Sequence, residues 1–305
     1  MNEQSRLFEV SDGHRLYVER HGKRGGIPVL FVHGGPGAGF SEEDKAFFDS
    51  ERFDVLLFEQ RGTGRSEPFA SLHENHTDAL VSDMIALLDG FGLETVHLFG
   101  GSWGSTLSLV FAIRHPERVR GLVLRGIFLA NEESIEHFVG GGVEDYFPEV
   151  WERFVSVVPE GRRRSIASFY LAGMTSKDED EREKFCYEWA RYELSLVKLD
   201  WPESDEAIAK ILGQYNYRSL SVLEAHYTAN RFFLEENYIL ERAGALDGLP
   251  VSIVHGRYDV LCPPKGAREL HQKIPGSRLH YVTAGHSSRE PAIREALVSE
   301  LSRLK

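Results

Sequence analysis

Three residues, Ser102, Asp259 and His286, stand in the order and the local settings that nucleophilic catalysis requires. Ser102 is the centre of GGSWGS, a G-x-S-x-G pattern that follows the apolar run VHLF and precedes the helical stretch STLSLVFAIRHP. A serine hydroxyl is a weak nucleophile. A strained strand-to-helix turn exposes it, and the residues two before and two after must then be small. Gly100 and Gly104 fill those positions. The hydroxyl needs a base to take its proton and an acid to orient that base, and where this turn carries a triad the order along the chain is Ser, Asp, His. Asp259 follows VSIVHG in HGRYDVLCPP and His286 follows LHYV in TAGHSS, so both fall where loops leave the carboxyl edge of a sheet. Negative charge developing on a substrate oxygen needs amide donors. The run HGGPG at 33–37 lets backbone approach a ligand closely, so Gly35, with Trp103 after the nucleophile, supplies the candidate oxyanion hole. Taken singly, a loop Asp is a turn residue, a lone His is structural and HGGPG is a tight turn. The strand–Ser102–helix context is what gives them a chemical reading.

The elements that must position these residues follow from hydrophobic patterning. Residues 7–20 read as two short strands around the Asp12-Gly13 turn. Short apolar runs at 29–32, 54–58, 96–99, 122–125, 251–254 and 279–282 suit strands buried on both faces. Helical patterns lie between several of them, including Leu80, Met84, Leu87 and Leu88, and Ile293, Leu297, Leu301 and Leu304 at the end. Alternating strand and helix predicts a mostly parallel, doubly wound α/β sheet. The alternation stops between about 130 and 240, where Trp151, Trp189, Trp201 and many charged residues occur but few β-rich runs. That stretch is expected to be a helical cap, residues 131–240, inserted in a core made of 1–130 and 241–305. Its acidic run SKDEDEREK reads as a solvated helix start.

With 305 residues the chain can bury a full core as one unit with an insertion. Its 35 Lys and Arg against 47 Asp and Glu give a formal charge of −12, which repels phosphate backbones and anionic lipid, so neither nucleic acid nor membrane is an expected partner. The start MNEQSRLFEV lacks a basic region followed by an apolar stretch, and no window reaches the roughly 18 apolar residues of a membrane span. A cytoplasmic protein with Cys186 and Cys262 reduced is expected. The 13 histidines show no HExxH and no Cys/His pairing at zinc-ligand spacing, so no metal or cofactor is expected.

The motifs DGHRLYVE, HGGPG, EQRGTGRSEP, GGSWGSTLSL, LVLRGIF, YFPEVWERF, the TS of MTSKD, LEAHY, HGRYDVLCP and AGHS occur here in order. Together they resemble the prolyl aminopeptidases, or proline iminopeptidases, of the α/β-hydrolase superfamily, over most of the chain. The resemblance implies an α/β-hydrolase fold and removal of an N-terminal residue, preferably proline, from small peptides. It further implies that cap carboxylates hold the free amine of the substrate. Glu193 in YELS and Glu224 in LEAHY match them, and Phe128, Phe138 and Cys262 match positions lining the pocket for the proline ring. Two positions depart from the family pattern: Thr228 stands where an aromatic usually follows HY, and Glu59 replaces the more frequent aspartate of DQRG. Thr228 implies a wider or more polar pocket, whereas the Glu59 change has no reading from sequence.

The leading expectation is a serine aminopeptidase working through an acyl-enzyme, with His286 as base. One alternative retains the triad and makes the substrate a neutral ester, lactone or amide, since this fold hosts many chemistries. The other is a protein that binds a small molecule without turning it over. The sequence leaves the oligomeric state open.

Overall fold

The computed structural model describes residues 5–200, 204–214 and 216–305; Trp201 lies outside them. Eight strands form one sheet: β1 (Arg6–Glu9), β2 (Arg15–Gly22), β3 (Ile27–Val32), β4 (Phe53–Phe58), β5 (Val96–Gly101), β6 (Val119–Arg125), β7 (Val251–Gly256) and β8 (Arg278–Val282). Their order is β1-β2-β4-β3-β5-β6-β7-β8. The pairs β1–β2 and β2–β4 are antiparallel and all others parallel. Each apolar run of the sequence lies in one of these strands. The opening hairpin turns at Asp12, whose φ of 61° is the left-handed conformation that the Asp-Gly pair tolerates.

Successive side chains of a strand face opposite sides, and the core divides accordingly. Leu30, Val32, Leu56, Phe58, Leu98, Leu122 and Leu124 pack against Leu80, Met84, Leu87 and Leu88 of the helix Thr77–Gly90 and against the helix Trp103–Arg114. Val29, Phe31, Val55, Leu57, Phe99, Val123 and Val254 face Ile293, Leu297 and Leu301 of the helix Pro291–Ser302. With helices on both faces the central strands are buried throughout, and each fully buried Leu or Phe contributes about 1.5–3 kcal/mol.

Between β6 and β7 every regular element among the described residues is helical, which makes this stretch a helical insertion. Asp178 caps the helix Glu179–Leu194 by accepting from the amides of Asp180 and Glu181, so the acidic run is indeed a solvated helix start. The insertion has an aromatic centre in which Phe154 stacks on Tyr192 and Tyr170, with Trp189 and Phe138 at its edges. The helix Tyr217–Ala229 rests on the HGGPG loop: Ser219 Oγ donates to Gly37 O at 3.1 Å, and a Cβ at Gly37 would lie 2.5 Å from Ser219 O.

Glu59 acquires a role here. Its buried carboxylate accepts from Arg65 N and from the Arg65 guanidinium, while Gly39 and Gly64 lie so close that a Cβ would sit 3.2 and 2.6 Å from its oxygens. It ties the loop after β4 to the end of the HGGPG loop.

Candidate active site

Ser102 sits between β5 and the helix Trp103–Arg114 with φ 56° and ψ −129°, a conformation that costs of order 1–3 kcal/mol in a non-glycine residue. The neighbourhood holds it there. Ser102 N donates to Arg125 O at 3.0 Å, and Ser102 O accepts from Ser105 N at 2.8 Å and from Ser105 Oγ at 2.6 Å. The glycines two before and two after are sterically required: a Cβ on Gly100 would lie 2.3 Å from Gly104 O, and one on Gly104 2.1 Å from Val32 O.

Asp259 follows β7 and His286 follows β8. His286 Nδ1 and Asp259 Oδ2 are 2.7 Å apart. An ionised carboxylate only accepts, so Nδ1 carries the proton and Nε2 is left as the acceptor a general base needs. Asp259 Oδ1 accepts from the amides of Leu261 and Cys262 at 3.1 and 2.8 Å. Burial alone would raise the Asp259 pKa, but the charge and hydrogen bond of His286, with His255 behind, outweigh it and hold the carboxyl below its ordinary range. Gly126 lies against the imidazole, where a Cβ would be 2.8 Å from Cε1 of His286. Ser102 and His286 face one cavity of about 480 Å³. Among the described residues no hydrogen bond joins them; the Ser102 hydroxyl lies beside the Cys262 thiol, whose pKa burial pushes well up.

The oxyanion candidates sit on either side of Ser102. Trp103 opens its helix, and the first amides of a helix have no partner within it. The HGGPG loop comes so close that a Cβ on Gly34 would lie 3.3 Å from Ser102 Cβ. Sequence reasoning missed the support of this loop. His33 Nε2 accepts from Gln60 N at 2.9 Å, which puts the ring proton on Nδ1, 2.8 Å from Gly34 O. Gln60 Nε2 donates to His33 O and its Oε1 accepts from the Trp103 indole, both at 2.9 Å. Burial lowers the His33 pKa to about 4, keeping the ring neutral and the network intact. Also missed was Arg125, whose Nη1 donates to His286 O at 2.9 Å. The His of HGGPG and the Gln of EQRG were visible as motif members, but their pairing was not.

Glu193, Tyr217 and Leu220 line the same cavity as Ser102. Glu224 is buried beside it, with Oε2 accepting from the Trp189 indole at 2.7 Å. Burial raises the Glu193 pKa to about 7. Burial, then the charge of Glu193, push Glu224 well above the carboxyl range against the pull of the Trp189 bond. Two carboxyls that resist ionising together form a place for a cation. Phe128 and Cys262 line a smaller cavity of about 110 Å³. Phe138 packs in the aromatic centre of the insertion, where its carbonyl accepts from Tyr192 Oη. Both phenylalanines belong to the same buried core cluster. Thr228, one helical turn beyond Glu224, is buried with Oγ1 unpartnered among the described residues.

Sheet order, helical insertion and the strand-to-helix turn at Ser102 define an α/β hydrolase, and residues 27–290 match the profile of the alpha/beta hydrolase fold. The chain is 39% identical over 298 residues to the proline iminopeptidase of Neisseria meningitidis serogroup A, covering 96% of this chain and 94% of that protein. It is 38% identical over 301 residues to that of Arabidopsis thaliana, covering 98% and 79% respectively. It belongs to the proline iminopeptidase family. A crystal structure of the Mycobacterium smegmatis proline iminopeptidase covers 98% of both chains with a TM-score of 0.64 at 19% identity, a likeness of fold.

Proposed function

We propose that this protein is a serine aminopeptidase that releases an N-terminal residue, preferentially proline, from small peptides. The observation that carries the reading is one cavity lined by Ser102, His286 and Glu193, with Asp259 bonded behind His286 and Glu224 buried beside Glu193 as a carboxyl pair that resists carrying two negative charges. His286 Nε2 takes the Ser102 proton as Oγ attacks the carbonyl. The amides of Gly35 and Trp103 receive the oxyanion, the peptide amine leaves with the proton from His286, and water then releases the amino acid by the same route. The substrate's ammonium sits between the two glutamates, where it offsets the repulsion that burial creates. Phe128, Phe138 and Cys262 are proposed to form the apolar surroundings of the proline ring. The core is proposed to be 1–130 with 241–305, and the cap 131–240. Two buried free cysteines fit a reducing, cytoplasmic compartment.

The test is kcat/KM for proline β-naphthylamide beside its N-acetyl form, alanine β-naphthylamide and p-nitrophenyl acetate. Preference for the free-amine prolyl substrate supports the reading. Preference for alanine retains the amine clamp and removes the proline selectivity. Turnover of the acetate alone replaces the aminopeptidase by an esterase, and inertness of Ser102 to a fluorophosphonate leaves a binding protein.

A further inference from the structure

The backbone of the catalytic histidine loop is held by the helical insertion. His286 N and Ser287 N both donate to the carbonyl of Val197, at 3.1 and 2.8 Å, four residues beyond Glu193. The two segments are buckled together by one side chain. Both oxygens of Glu290 lie 3.0 Å from Gly285 N, and Oε2 also accepts from Leu199 N at 3.4 Å. Gly285 leaves no room between them: a Cβ there would lie 2.8 Å from Leu199 N and 3.1 Å from Lys198 C. Glu290 precedes the helix Pro291–Ser302, yet its side chain makes no capping bond to that helix, so the buckle is what its carboxylate does.

We propose that Glu290 is a positioning residue that fixes His286 against the segment Val197–Leu199, so that the insertion sets the placement of the general base as well as the substrate pocket. A loop this short transmits a shift of Gly285 directly to His286, and misplacing a base by about 1 Å costs about 100-fold in rate. The inference rests on Ser102 and His286 being nucleophile and base.

Two variants disturb the junction in different ways. Glu290→Ala removes the buckle, and Gly285→Ala wedges the segments apart. Both are expected to lower fluorophosphonate labelling of Ser102 and kcat on p-nitrophenyl acetate and proline β-naphthylamide together, by about 10- to 100-fold. The KM for the prolyl substrate should stay within about twofold, because Glu193 and Glu224 are untouched. Glu290→Gln keeps an oxygen for Gly285 N and is expected to recover most of the rate. The proposal is overturned if Glu290→Ala labels at the wild-type rate, if Gln is as damaging as Ala, or if KM changes and kcat does not. A wild-type enzyme that turns over the acetate and no prolyl substrate would sink the aminopeptidase reading while labelling and acetate turnover still judge the buckle.

Discussion

Trp189 donates its indole N–H to Glu224 at 2.7 Å and so occupies one lobe of a buried carboxyl whose charged neighbour is Glu193. The bond holds the carboxyl in place and still leaves its other oxygen for a ligand. An ammonium reaching the pair gains charge-assisted hydrogen bonds worth roughly 1.5–3 kcal/mol each.

Replacing either glutamate by glutamine should therefore reduce kcat/KM for proline β-naphthylamide by about ten- to over a hundred-fold and leave p-nitrophenyl acetate turnover unchanged. Parallel kinetics on the two substrates check this. An equal loss on both would show that the glutamates support the fold and not the amine.

The same pair predicts a pH signature. The pKa of Glu193 is raised to about 7 by burial, so below that pH the clamp loses charge and the ammonium loses its partner. Free-amine substrates should show a steeper fall in kcat/KM on acidification below about pH 7 than p-nitrophenyl acetate, whose fall reports only the general base, and Glu193→Gln should remove the difference. A raised carboxyl pKa also favours folding at low pH, a contribution complete below the unfolded pKa and lost as pH rises through about 7. Thermal melts of Glu193→Gln against wild type should thus show a gain in Tm at about pH 8 that shrinks on acidification.

Asp259→Asn is expected to retain the fold and lose about 10⁴-fold in kcat, because the amide can donate to Nδ1 and so stabilise the wrong tautomer of His286. Ser102→Ala should abolish prolyl release with an unchanged melting curve. Circular dichroism beside single-substrate kinetics decides both, and a Ser102→Ala protein with full activity would end the proposed mechanism.

Gln60→Ala should strip partners from the Trp103 indole and from His33 O, both in the buried interior. A loss of roughly 1–3 kcal/mol of stability is expected for each group left unpaired. The loop that carries Gly35 should loosen, so kcat should fall more than KM rises. Urea denaturation and steady-state kinetics measure the two effects separately.

Much of this molecule is legible in the chain because its signals are local. The apolar runs are each bounded by turn residues, and Gly100, Ser102 and Gly104 carry their geometry within five residues. The order Ser102, Asp259, His286 is readable because strands deliver loops to one edge. What was not legible depends on partners far apart in sequence. Gln60 meets Trp103 across 43 residues and Leu199 meets Glu290 across 91, distances that only the strand order closes. β6 begins three residues before its apolar run, because Val119 pairs with Val96 at the irregular end of β5. Glu59 gave no reading until Gly39 and Gly64 were seen against it.

The hydrophobic core has no seam at the edge of the insertion. Leu30 and Leu98 of the sheet belong to the same buried cluster as Phe154, Tyr170 and Trp189. A protein built that way has no separate lid to melt first: calorimetry should record one cooperative transition, and limited proteolysis should release no stable helical fragment. Substrate then reaches Ser102 through the mouth of the cavity that Ser102 lines with His286 and Glu193, with no opening of the insertion as a separate step.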